Sequence, residues 1–248
     1  MVNKEIKRVK GIVLFSNKVK DDSAIVRIFT NYSNQDFYLK NVYKLKSNLK
    51  SALLVGNYIE FDYIESNSIN IIKSINTLFD CSKYYLNYNY SLIISYFCEC
   101  LYRYENDSYI KNNCVEKYVL LLSKLEQSNL FTFILIFLST LIDDLGLKPN
   151  VSTCNICNSS KNIISFSFQE GGFICKDCFN KKYNNYYSNM DLYVFKFAFS
   201  NHNIDDLKKE IPKDSIIKII KEFNSYLENT FSYNQSKTLI ELLNHLNL

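Results

Sequence analysis

Cys154-Asn155-Ile156-Cys157, a gap of seventeen residues and Cys175-Lys176-Asp177-Cys178 place two Cys-x-x-Cys hooks in one short stretch. Each hook bends the backbone so that two thiolates face the same way, and the intervening segment returns the second pair to the first. This is the ligand spacing of a tetrahedral zinc site. Four sulfur ligands leave no coordination position for a substrate or an activated water. The ion expected at Cys154, Cys157, Cys175 and Cys178 is therefore one structural Zn2+ rather than a catalytic one. Four unmetallated thiols, a redox pair and an iron–sulfur cluster are the other readings of the same pattern.

The second feature with chemical content is a concentration of cations near the start. Residues 1–50 carry eleven Lys or Arg against four Asp or Glu, a net +7, whereas the remaining chain carries eighteen against twenty-one, a net −3. A basic segment on a mildly acidic body points to a polyanionic partner, and a solvated lysine-rich surface is the bland alternative. Lys10, Arg27, Lys40, Lys44, Lys46 and Lys50 are the candidate DNA-binding residues. They are interleaved with Tyr32, Phe37, Tyr38 and Tyr43. Single-strand binders combine cations that track phosphates with aromatic faces on which bases stack. Any one of these aromatics can instead fill the core.

Parts for bond-making chemistry are few. Only two histidines occur, His202 and His245, and no phosphate-binding glycine loop, nucleophile elbow or His-Glu-x-x-His pattern is present. Asp143 and Asp144 are adjacent, so on a helix they face different ways and read as a solvated end. A zinc-dependent nucleotide deaminase needs an open coordination site and a His-x-Glu pair, and neither precedes these cysteines.

Short alternating runs position the basic segment. Residues 9–15, 24–30, 35–42, 58–64 and 69–78 read as five strands, with a polar turn over 17–22 and a basic loop over 44–50. Five short strands in under eighty residues fit a small closed barrel such as an OB-fold. Beyond Asp80 the period becomes helical over 84–104, 115–126 and 130–145, with Gly146 as C-cap and Pro149 as the stop. Between the hooks, residues 163–168 alternate as a strand, and Gly171-Gly172 supplies a tight turn that glycine makes without strain. Helices are expected again over 191–199, 215–231 and 236–246. The fold class is thus α+β and multidomain. An OB-fold barrel spans 1–79, a helical domain spans 80–152 and 182–248, and a four-cysteine zinc module spans 153–181, inserted in the helical domain.

With 248 residues, 47% hydrophobic and 22% charged, the chain has the makeup of a soluble globular protein. No secretory signal opens it. The longest apolar run, 130–142, is too short to cross a bilayer and reads as a buried helix, so no membrane association is expected. Eight cysteines without a signal suggest reducing cytoplasm, with Cys81, Cys98, Cys100 and Cys114 as small core residues.

Lys10-Gly11-Ile12-Val13-Leu14, followed by Asp22, Ile25-Val26 and Phe29-Thr30, resembles the first two barrel strands of the RecO family of bacterial recombination mediators. Leu145-Gly146-Leu147-Lys148-Pro149 before Cys154 is similar to that family's entry to its zinc module, and Gly171-Gly172-Phe173-Ile174-Cys175 to its exit. Lys237-Thr238-Leu239 resembles the basic motif of its last helix. The likeness spans the whole length. It departs at Asn41-Val42-Tyr43-Lys44, where the family has a glycine followed by a basic residue, and at a first turn whose acids are reduced to Asp21-Asp22.

The resemblance implies a non-enzymatic DNA repair and recombination mediator of the bacterial cytoplasm, associated with the nucleoid. It implies binding of single- and double-stranded DNA and annealing of strands coated by single-strand-binding protein. It further implies loading of recombinase together with RecR, and capture of the C-terminal tail of single-strand-binding protein, with no small-molecule substrate. The alternative reading is a zinc-ribbon interaction protein of transcription or translation.

Overall fold

The computed structural model describes residues 5–20, 22–31, 33–45, 47–103, 114–181, 184–200 and 205–246. The chain forms two compact units, Met1–Ser123 with Ser236–Leu248 and Lys124–Gln235.

In the first unit, β1 (Ile6–Lys18), β2 (Ala24–Thr30), β3 (Asn34–Leu39), β4 (Tyr58–Ile64) and β5 (Asn70–Phe79) pair in the order β1-β2-β3-β5-β4, and β4 returns to β1, so the sheet is closed. All pairings are antiparallel except β3 with β5. The period-2 pattern set the inward face. Along β4, Ile59, Phe61 and Tyr63 are buried while Glu60 and Asp62 are partly exposed. They meet Val13, Val26, Ile28, Phe37, Leu39 and Ile72 in one apolar core. Phe37 packs edge-on to Phe61 and Tyr63, at centroid distances of 4.9 and 5.2 Å.

A short helix α1 (Leu49–Ala52) lies between β3 and β4, overlapping the end of the loop expected over 44–50. Three longer helices belong to this unit: α2 (Tyr88–Arg103), α3 (Cys114–Leu122) and α7 (Lys237–Leu246). α2 packs on α7 and on β1, and α3 packs on β1. Glu116 in the first turn of α3 accepts hydrogen bonds from Tyr58 Oη at 3.0 Å and Asn31 Nδ2 at 3.3 Å, pinning the helix to the sheet. Burial and the Glu116 carboxylate together push the Tyr58 phenol upward.

The second unit holds α4 (Leu130–Asp144), the hairpin β6 (Ile163–Ser167) and β7 (Gly172–Cys175), α5 (Asn189–Ala198) and α6 (Lys213–Thr230). The apolar run was buried as expected: ten of the residues of α4 are inaccessible. The Asn129 side chain caps its start, accepting from the N–H groups of Phe131 and Thr132. Its end is a Schellman turn. Gly146 at φ +75° donates to the Asp143 carbonyl, and Leu147 donates to that of Ile142. Asp143 is paired with Lys148 at 2.8 Å, as befits a solvated end. Helix α4 packs on α6 and α5, so helices from both sides of the cysteine segment share one core.

The units divide the helices differently from the sequence boundaries. α2, α3 and α7 cluster with the sheet, and only α4, α5 and α6 surround the cysteine segment. An amphipathic stripe says that a helix buries a face, not what it buries it against. Among the described residues no helix is long and apolar enough to cross a membrane.

Candidate metal centre and nucleic-acid interface

Two tight hooks bring the four cysteines together. Asn158 at φ +60° donates to the Cys154 carbonyl at 2.8 Å, and Cys154 N–H donates to the Ser159 carbonyl at 2.8 Å. The second hook closes with Cys178 N–H on the Cys175 carbonyl, 3.2 Å. All four Sγ atoms lie within 4.8 Å of one another. The Cys157 and Cys175 sulfurs are 3.6 Å apart, far beyond a disulfide bond. Four thiolates around a tetrahedral zinc with Zn–S of about 2.3 Å would sit about 3.8 Å from each other. The cluster therefore has the size and donor set to hold a metal ion. Burial disfavours a thiolate at Cys154, but N–H groups of Cys175, Cys157 and Ile156 outweigh it and hold that thiol down at about 6. Cys178, against the Cys157 sulfur, is pushed up to about 12.

The double glycine has a partner that the sequence did not point to. Asn150, directly after Pro149, donates its N–H to the Gly171 carbonyl at 2.8 Å and accepts from Phe173 N–H at 2.9 Å. A Cβ on Gly172 would meet the Asn150 carbonyl oxygen at 2.2 Å. Entry and exit of the segment are thus laced backbone to backbone, which brings β7 and Cys175 onto the first hook. The expected strand is β6; its partner β7, too short to read as a strand, was missed. Phe166 of β6 stacks on Phe195 of α5 at 3.9 Å, and Phe168 stacks on Tyr226 of α6 at 3.8 Å, fixing the hairpin to the helices.

The six candidate cations are not equivalent. Lys40 and Lys44 lie in the β3–β4 connection and Lys50 lies in α1; all three are exposed, and none forms an ion pair among the described residues. Lys46 lies outside the described residues. Lys10 is exposed in mid-strand, opposite Glu60 of β4.

Arg27 is half-buried and already engaged by neighbours in the sheet. Its guanidinium makes a two-pronged ion pair with Asp36 across the β2–β3 ladder and lies over the rings of Phe15 and Tyr102, at 5.5 and 5.2 Å. A cation spent on a partly buried carboxylate and two rings is a strut of the sheet. Of the aromatics, Phe37 is core, Tyr38 and Tyr43 are half-buried, and Tyr32 lies outside the described residues.

The basic end includes two further lysines. Exposed Lys18 and Lys20 flank the β1–β2 turn, and Lys18 Nζ sits 5.0 Å over the Tyr43 ring. The Tyr43 N–H donates to the Asp22 carbonyl at 3.1 Å, tying this turn to the β3–β4 connection. Their membership of the basic segment was the sequence signal that could have singled them out.

Of the two histidines, His202 lies outside the described residues, and the His245 ring lies 4.6 Å from that of Tyr88 within the first unit.

Comparison with known proteins gives a consistent result. A family model described as "Recombination protein O C terminal" matches residues 86–231. A DNA repair protein RecO from Caldanaerobacter subterraneus subsp. tengcongensis is 27% identical over 239 residues, 90% of this chain and 94% of that protein. A DNA repair protein RecO from Lactobacillus acidophilus is 24% identical over 188 residues, 71% and 72% of the two chains. One from Streptococcus pyogenes serotype M1 is 23% identical over 260 residues, 94% of each. Among solved structures, asparaginyl-tRNA synthetase from Pyrococcus horikoshii aligns at a TM-score of 0.30 and 8% identity, over 70% of this chain and 39% of that one, too loosely to carry an argument.

Proposed function

The chain belongs to the RecO family, and on that premise we propose that it is a non-enzymatic DNA repair and recombination mediator whose closed sheet is an OB-fold gripping DNA. It binds single- and double-stranded DNA, anneals complementary strands coated by single-strand-binding protein, and works with RecR to load recombinase. Its helical part takes the C-terminal tail of single-strand-binding protein, and it acts in the bacterial cytoplasm at the nucleoid. The domains are the barrel of 1–79, the helical domain of 80–152 and 182–248, and the inserted module of 153–181. One zinc ion on Cys154, Cys157, Cys175 and Cys178 braces that module.

The observation that carries this reading is the β3–β4 connection, with Lys40, Lys44 and Lys50 exposed and unpaired among the described residues and bound to the Lys18–Lys20 turn through Tyr43 and Asp22. Annealing needs phosphate neutralisation and base exposure but no bond chemistry. Lys10, Arg27 and Lys46 belong to the same proposed footprint, Arg27 through the part of its guanidinium left exposed beside Asp36. The buried thiols of Cys81 and Cys98 are pushed upward by burial, Cys81 to about 12, which is the reverse of an activated nucleophile.

Annealing of complementary oligonucleotides, bare and coated with single-strand-binding protein and titrated with salt, tests the proposal. Reversing Lys40, Lys44 and Lys50 to glutamate should weaken binding equally across sequences. The log–log salt slope on single strands should flatten by about 2, at about 0.7 per phosphate contact. A slope that stays the same removes this connection from the footprint. Failure of the unsubstituted chain to anneal removes the function.

A further inference from the structure

Leu45 is at odds with its surroundings. Its side chain is 106% exposed, the most of any exposed large apolar residue described, and it sits between cations rather than on an apolar face. Turn chemistry does not ask for it either. The Lys44 carbonyl accepts from Ser47 N–H at 2.9 Å, so Leu45 occupies the first central position of a turn, where proline and small polar residues are usual. We propose that Leu45 is an apolar wedge that enters the base stack of DNA held by the surrounding lysines. The proposal rests on the DNA-binding reading above and adds to it a residue and a mode of contact.

A wedge needs a held base, and described residues on either side of Leu45 are anchored. Before it, Val42 is buried in the core of the closed sheet, and Tyr43 N–H is bound to the Asp22 carbonyl at 3.1 Å. Asn41 takes a left-handed conformation at φ +61°, which bends the chain just after β3. After it, Leu49 N–H donates to Ser47 Oγ at 3.2 Å and leads into α1. Backbone held close to the insertion point reduces the ordering cost of binding.

The occupant must be apolar and flat at its centre and anionic at its edges. The described cations of the connection, α1 and the turn tied to it through Tyr43 are Lys44, Lys40, Lys50, Lys20 and Lys18, and the described acid among these loops is Asp22, 3.8 Å from Lys18 Nζ. Stacked bases between phosphate rails have that composition, and leucine is among the side chains that part base steps. An anionic membrane shares the charge but not the scale, since stable anchoring needs more than one apolar insertion. Unstacking is easiest where the stack is already broken, so the wedge favours a gap edge or a mismatch over continuous duplex.

The chain contains no tryptophan, so Leu45→Trp introduces a single reporter. Its emission should be quenched on a gapped duplex, less so on a continuous duplex, and unchanged on vesicles of phosphatidylcholine and phosphatidylglycerol. Leu45→Ala should reduce the preference for the gapped duplex by roughly tenfold, the scale of a lost base-step contact, and leave the salt slope intact. A 2-aminopurine at the gap edge should brighten with the unsubstituted chain and stay dim with Leu45→Ala. An unquenched indole on DNA that binds with an undiminished salt slope overturns the wedge alone. A blue shift on vesicles without DNA overturns it in favour of a membrane. Absence of DNA binding by the unsubstituted chain overturns both the wedge and the function beneath it.

Discussion

Replacing Cys175 by serine should cut bound zinc from one equivalent to a small fraction and loosen the whole segment from Asn150 to Cys178. Cys175 ends β7, is fully buried, and places its sulfur 3.6 Å from that of Cys157. A serine hydroxyl is a far weaker donor for zinc than a thiolate, and its loss leaves three ligands and an opening for water. The segment cannot compensate from its own strands. β6 and β7 make a two-stranded hairpin of five and four residues, marginal by itself in water. Binding free energy at structural zinc sites runs to about 10 kcal/mol or more, so ligand loss outweighs any single packing change nearby. What remains is the aromatic attachment through Phe166 and Phe168, which should keep the hairpin near α5 and α6 while the hooks fray. Zinc released on denaturation and limited proteolysis between the hooks are the two readouts. Cys81→Ser, at a buried thiol in the other unit, is the control that should retain the metal. A Cys175→Ser protein with full zinc and unchanged cleavage would take Cys175 out of the ligand set.

The centre was legible because its information is local. Two hooks of four residues and a glycine pair are short-range signals, and the fold gathers the same four sulfurs. The lacing of Asn150 to Gly171 and Phe173 was not legible, because a backbone ladder between distant positions leaves no mark on side-chain type. The strands were readable for the same local reason: alternation in 58–64 reports one wet and one dry face wherever the strand ends up. The partner of Arg27 was not legible, because a cation in an apolar run looks free until the register is known. The β2–β3 pairing that sets it opposite Asp36 is itself the missing datum. Phe37 was ambiguous for a related reason, since a stacking platform and a core ring have the same composition and differ only in which way the strand faces. Packing partners leave no local mark either: α2 and α4 are both strongly apolar, yet α2 packs on β1 and α7 and α4 on α5 and α6.

Gly11→Ala should cost about 3 kcal/mol, at the upper end for forcing atoms into a filled interior, and lower the melting temperature of the first unit by about 6–12 °C. The reason lies in how the sheet closes. β1 pairs with β4 along its first half and with β2 along its second, and the two pairings overlap at Gly11 and Ile12. There the strand is flanked on both edges at once and must bend, a usual place for glycine in a closed sheet. A Cβ at Gly11 would come within 2.4 Å of Ile28 Cγ2 and 2.6 Å of the Phe29 carbonyl oxygen. Trimming Ile28 to alanine relieves the first collision but not the second, which is with the backbone of the paired strand. The double variant Gly11→Ala/Ile28→Ala should therefore melt no higher than Gly11→Ala alone. The same hand-over leads β1 toward the Lys18–Lys20 turn, so DNA affinity should vanish in the same thermal transition rather than before it. Unchanged melting in Gly11→Ala would mean that β1 can shift away from β2 at this point, and that the sheet is not held closed there.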